Sequence, residues 1–165
     1  MLPGFESYTS QGADFDPERR YRYLLWRAWE NEPRRTALWV MLNPSTADET
    51  VLDPTLKRVE NFTRTWWYDA FRVVNLFAIR ATDSGLLPSF DDPVGPANDL
   101  AIKLAAATAE LIVVGWGSHK LATARARVVR ELLNGRTLMC LGKNADGSPR
   151  HPLYLAATTQ LEVWP

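Results

Sequence analysis

From Leu38 onward, short apolar runs alternate with segments of helical spacing, and this alternation restricts the fold more than any other feature of the chain. The run TALWVML (36–42) is followed by a helix start. There Asp53 can cap, Pro54 suits the first helical position, and Leu56, Val59, Phe62 and Trp66 recur at helical intervals. FRVVNLFAI (71–79) reads as the next strand, ANDLAIKLAAATAE from Ala97 as a helix, and LIVVGWG (111–117) as an apolar strand ending in glycines. HKLATARARVVRELLNG is an amphipathic helix stopped by Gly135, RTLMCLG a further buried strand, and LEVW an edge strand. Strands apolar along their whole length are covered on both faces. The expectation is an α/β fold with a central, mostly parallel sheet flanked by helices.

Ahead of the alternation, YRYLLWRAW (21–29) is aromatic and β-prone, and with TALWVML across the NEPR break it reads as an N-terminal β-hairpin. Residues 1–18 have no periodicity and read as an irregular lead-in. With no repeat, linker or low-complexity tract, residues 1–165 are expected to form a single domain, long enough to bury a full core. The first twenty residues lack a basic segment followed by an apolar one, and no apolar run approaches the roughly 20 residues of a membrane span. The expectation is a soluble, cytoplasmic protein with no membrane partner.

In open sheets of this kind ligands bind beyond the carboxyl ends of the strands. Four loops become candidates: Asn43–Asp53, Asn75–Gly95, Trp116–His119 and Gly142–Tyr154. Two roles are open to Asn43: it can turn the chain within NPSTAD, or hold a water against a substrate, since an amide both donates and accepts. Asn75 interrupts an apolar strand, where an unsatisfied amide costs about 1–3 kcal/mol. Its partner is either a neighbouring loop backbone or a ligand edge that presents a donor and an acceptor, as a nucleobase does. His119 can start a helix or contact a ligand. His151, in SPRHPLY, is a turn residue or a hydrogen-bond donor to a developing anion.

Other classes receive no support. No P-loop, dinucleotide fingerprint or nucleophile elbow is present, and GWGSH does not match the dinucleotide pattern. Two histidines without an acidic cluster do not make a zinc site, and the single Cys140, in TLMCL, reads as a buried, inert thiol. Neither a metal nor another cofactor is expected. Formal net charge is zero, although seven of the 19 Lys and Arg and only three of the 19 acids follow Gly115. That basic end reads as a solvated helix face or as a phosphate-facing surface. Seven Trp are many for this length; RTWWYDAF is either an exposed partner surface or a helix end packed on the sheet.

The motifs YRYLLWRAW, MLNPSTADETVLDPT, VVNLFAIRAT, VGPANDL, GWGSH and LGKNADGSPRHPLYL resemble a bacterial and phage family known as domain of unknown function 1643, across residues 20–160. A strand ending in Asn-Pro, a strand ending in Val-x-Asn and a final His-Pro loop are also similar to the uracil-DNA glycosylase superfamily. That resemblance implies a three-layer α/β/α sandwich. It implies that Asn43, within Leu42-Asn43-Pro44, positions water, that Asn75 reads the base edge, and that His151, followed by Pro152, stabilises the departing base. Asp48 is a reserve general base in the same loop, and Pro44, Ser45, His119, Arg150 and Tyr154 complete the substrate-binding set. The reaction implied is hydrolysis of an N-glycosidic bond; the alternative is a non-catalytic nucleotide or nucleic-acid binding module. This sequence has Met41 where the superfamily has glycine, Ser45 after the Asn-Pro, and His-Pro-Leu-Tyr in place of His-Pro-Ser. With zero net charge, these departures favour a small nucleobase-containing molecule, or a single-stranded or modified nucleic acid, over plain duplex.

Overall fold

The structure, a computed structural model, describes residues 7–165. The first six residues, part of the expected lead-in, lie outside the described residues. Seven strands form one sheet: β1 (Ser10–Phe15), β2 (Arg22–Ala28), β3 (Thr36–Met41), β4 (Ala70–Asn75), β5 (Leu111–Val114), β6 (Met139–Cys140) and β7 (Glu162–Val163). Their spatial order is β1-β2-β4-β3-β5-β6-β7. Three helices complete the frame: α1 (Pro54–Thr65), α2 (Asn98–Ala107) and α3 (Ala122–Leu132).

β3 shows why the apolar run does not alternate. All six of its residues are buried. Leu38 and Val40 join a core with Ile102 and Ala105 of α2 and Ala126 and Val129 of α3. Ala37, Trp39 and Met41 join a second core with Leu56, Val59 and Phe62 of α1. Helices therefore cover both faces of the sheet, and a strand buried on both sides has no polar face to display. α1 begins as its residues dictate: the Asp53 carboxylate accepts from Leu56 N–H at 2.9 Å, and Pro54 occupies the first turn. A cap of this kind contributes about 1 kcal/mol.

The sheet is mixed rather than mostly parallel. β4-β3-β5-β6 are joined by parallel pairings, but β1–β2, β2–β4 and β6–β7 are antiparallel, three of the six junctions. The alternation after Leu38 captured only the strands linked by crossover helices. The chain before it docks antiparallel on β4, with Leu25 opposite Val73, and its tail returns antiparallel on β6.

The N-terminal hairpin exists with different strands. β2 pairs with β1, and β4 separates β2 from β3. Residues 10–15, expected as irregular, are a strand whose polar sequence SQGADF hides it. Gly12 lies opposite Trp26, and a Cβ there would sit 2.2 Å from the Trp26 ring. Here the indole covers a glycine and bonds Ser10 Oγ at 3.1 Å, so the pairing has no apolar alternation to betray it. The tryptophan pair is divided in the same way. Trp66 stacks on Trp39 with ring centroids 5.6 Å apart, whereas Trp67 is 83% exposed at φ 61°. Among the described residues no helix is long and apolar enough to cross a membrane.

The functional consequence lies in the strand order. From β3 the chain passes through α1 to β4 on one side, then through α2 back across β3 to β5 on the other. The carboxyl ends of β3, β4 and β5 thus diverge at a switch point, where loops separate and leave a crevice.

Candidate functional site

A cleft of about 580 Å³ opens at that switch point, and all four expected loops contribute to its wall. Its volume falls within the roughly 300–1,000 Å³ typical of small-molecule sites. Six of the nine sequence-predicted site residues line it: Asn43, Ser45, Asn75, His119, His151 and Tyr154. The other three, Pro44, Asp48 and Arg150, do not.

Asn75 is the last residue of β4, opposite Met41 in the parallel register, and is 1% exposed. Neither its Oδ1 nor its Nδ2 has a partner among the described residues. Its backbone is held by a second buried asparagine. Asn98, at the start of α2, donates from Nδ2 to Asn75 O at 2.9 Å and to Leu76 O at 3.2 Å. The strand end is therefore fixed while the side-chain amide at the cleft is left unpaired.

Asn43 is committed on one side. Its Nδ2 donates to Pro44 O at 3.0 Å and to Ala81 O at 2.8 Å, which clamps the first loop to the loop after β4. Of the two roles open to it, the turn is realised by the amide nitrogen, and Oδ1 remains to accept from a ligand or a water. Pro44 is buried beside it as part of this clamp.

The two histidines differ. His151 Nδ1 accepts from Leu153 N–H at 3.2 Å, so the neutral ring carries its proton on Nε2, which has no partner among the described residues. Burial lowers its pKa, and the Asp53 carboxylate opposes that effect. The ring is thus a neutral donor at pH 7. Gly117, at φ 75°, brings the loop after β5 against it: a Cβ there would lie 3.4 Å from His151 Cβ. His119 Nδ1 likewise accepts from Leu121 N–H at 3.2 Å, but its Nε2 lies 3.2 Å from Ser84 O and donates to it. Both nitrogens of His119 are occupied in tying two loops together at the rim.

Asp48, expected as a reserve general base, does not line the cleft. Its carboxylate accepts from Thr50 N–H at 2.8 Å and Val51 N–H at 2.9 Å, and those bonds hold its pKa below the ordinary carboxylate range. Such a group is a weak base. It closes a turn away from the cleft, the use an acid in a polar loop most often has. Arg150 is exposed and folds its side chain toward Gly142. Tyr154, 86% exposed, stands at the rim with its ring 6.4 Å from that of His151.

Sequence reasoning missed two charged wall residues. Asp53 was read only as a helix cap, but it lines the cleft, where its field reaches both His151 and Arg22. Arg22 of β2 is 2% exposed and also lines the cleft. Its Nη1 donates to Ala47 O at 3.1 Å, and its buried Nε has no partner among the described residues. Burial lowers its pKa to about 10, which leaves it charged at neutral pH. An arginine inside the aromatic run YRYLLW was the available signal. Cys140 is buried with its thiol pKa raised by that burial, an inert group. Among the described residues no three His, Cys, Asp or Glu side chains are grouped to hold a metal ion.

The fold and site define a mixed α/β protein with a ligand-sized cleft, lined by both polar and apolar side chains, at the switch point of its sheet. The chain matches, over residues 22–153, the family described as "Protein of unknown function (DUF1643)", and it belongs to that family. No curated protein and no solved structure matches it.

Proposed function

We propose that this protein recognises a nucleobase-containing ligand in the cleft and hydrolyses its N-glycosidic bond, on a three-layer α/β/α frame of the uracil-DNA-glycosylase kind. The observation that carries the reading is Asn75. A buried amide with neither atom paired is unfavourable by about 1–3 kcal/mol in the free protein, a cost that a ligand edge offering one donor and one acceptor removes. Nucleobases offer such edges.

The remaining wall suits the chemistry. Cleavage of an N-glycosidic bond builds negative charge on the leaving base. The Nε2–H of His151 is a neutral donor available to meet it. Asn43 Oδ1 can accept from a water, and Asp53 keeps one carboxylate oxygen beyond its capping bond to orient or activate that water. Asp53 thereby takes the part first assigned to Asp48.

A second reading, a binding module without turnover, is favoured by one observation: both protons of the Asn43 amide are committed to carbonyls. Such a residue accepts from water but cannot also donate to the sugar.

The test is a panel of nucleosides, nucleotides and single-stranded oligonucleotides with common and modified bases, scored for binding by calorimetry and for released base by chromatography. Asn75→Ala should weaken binding about tenfold or more, equal to roughly 1.4 kcal/mol. His151→Ala should lower release by about 10²-fold with binding retained. Binding without release selects the module. Absence of binding to every member at millimolar concentration sinks both readings.

A further inference from the structure

Burying a guanidinium is costly unless it is paired, and chains normally pair it. Arg125, 8% exposed, meets Asp99 at 2.5 Å and Leu76 O at 2.8 Å. Arg27, fully buried, donates to the carbonyls of Gly12, Trp26 and Asp48 and leaves only Nε without a partner among the described residues. Arg22 is as deep as either and has far less. Among the described residues its single hydrogen bond is to Ala47 O, no carboxylate lies within 4 Å of it, and Nε is unpaired.

Its surroundings add positive charge. The guanidinium groups of Arg27 and Arg80 both act on Arg22 as like charges, and the Asp53 carboxylate, which also lines the cleft, is the opposing one. Arg80 too has an unpaired buried Nε. It borders a shallower depression of about 330 Å³ that shares Ser45, Thr46 and Thr82 with the main cleft. Two arginines and three hydroxyls therefore surround one continuous recess. A neutral nucleoside leaves the Arg22 charge without a counter-ion, whereas an oxyanion supplies both the negative charge and acceptor oxygens for Nε and the hydroxyls of the recess.

We propose that Arg22 is the centre of an oxyanion subsite in this cleft, and that the natural ligand is a nucleoside phosphate rather than a free base or neutral nucleoside. The base half of this statement rests on the nucleobase reading above; the anion half stands on Arg22 alone.

The experiment compares three probes on the wild-type chain by calorimetry at fixed ionic strength: inorganic phosphate, a set of nucleosides, and the matching 5′-monophosphates. The expected result is that each monophosphate which binds does so at least tenfold more tightly than its nucleoside, and that inorganic phosphate competes with it. Arg22→Met should bring the monophosphate-to-nucleoside ratio near one, and Arg22→Lys should retain part of it. The wild-type ratio needs no variant, so the test survives if Arg22→Met fails to fold after losing its bond to Ala47. Equal affinity for nucleoside and monophosphate, with no competition by phosphate, overturns the anion subsite and leaves the base reading standing. Phosphate binding to which the base adds nothing overturns the base reading and keeps the subsite. No binding of any probe overturns both.

Discussion

His119 and His151 occupy successive loops at the same edge of the sheet, and each uses Nδ1 to accept from a backbone N–H two residues on, at 3.2 Å. They diverge at Nε2, which His119 gives to Ser84 O and His151 leaves to the cleft. The same division recurs in two other pairs. Asn98 gives its Nδ2 to two backbone carbonyls, while the neighbouring Asn75 amide has no partner among the described residues. Arg27 reaches three carbonyls, with only its Nε unpaired among the described residues, while Arg22 on the same strand reaches one. In each pair one polar side chain makes more bonds to the frame, although Asn98 Oδ1 and Arg27 Nε also lack partners among the described residues, and the three less-used groups line one cleft. Unsatisfied buried groups are ordinarily rare, so their convergence is a stronger pointer to a ligand than any of them alone.

The asparagine pair offers the sharpest way to break this comparison. Asn98→Ala removes two buried hydrogen bonds and leaves Asn75 O at the β4 exit short of a donor. Arg125 still serves Leu76 O. Stability should fall by about 2–3 kcal/mol, read from the midpoint of urea denaturation. Asn75→Leu, branched at the same carbon though larger, should do the opposite. It deletes an unpaired amide from an apolar strand and should raise stability by about 1 kcal/mol while abolishing ligand binding. If both substitutions destabilise equally, Asn75 has a structural partner in solution and the division fails.

The histidine pair should give a smaller separation. His119→Ala frees the loop around the 3-10 turn Ser84–Ser89 from the loop after β5. About 1 kcal/mol of stability should be lost, and amide exchange should speed up in residues 84–89. His151→Ala should leave exchange in that turn unchanged and act on the ligand instead. Equal acceleration by both variants would mean that His151 also serves the frame.

Much of this was legible before any coordinates. The α1 start, the depth of β3, the edge strand at the C-terminus and the four site loops follow from residue pattern. Their causes are local: a cap, a proline, a strand covered twice. What escaped depends on partners distant in sequence. β1 was hidden because a tryptophan packs over a glycine in place of apolar alternation. β2 was paired with the wrong strand because β4, some forty residues later, inserts between β2 and β3. Asp48 and Asp53 exchanged expectations because both are polar-loop acids, and only the geometry tells which one closes a turn and which one faces the cleft. Arg22 was silent for the same reason, since an arginine in a strand is read as exposed until its surroundings are known.

The finest test of the comparison is pH. Burial depresses the pKa of His151, so the folded protein takes up its proton at lower pH than the unfolded chain, whose histidine titrates near about 6.5. As pH falls through that value the unfolded state binds the proton first, and stability declines until the folded ring also protonates. The carboxylates with lowered pKa lie clear of this window. Glu49 is held at about 2 by Arg19, and Asp146 at about 2 by the hydroxyls of Ser118 and Ser148. His151→Gln should therefore flatten the decline between pH 8 and 5 by a small but measurable amount in paired urea titrations. His119→Gln, which breaks the bond to Ser84 O, serves as the stability control and should shift the whole curve downward. If His151→Gln leaves the decline unchanged, His151 is not a buried neutral donor at the cleft.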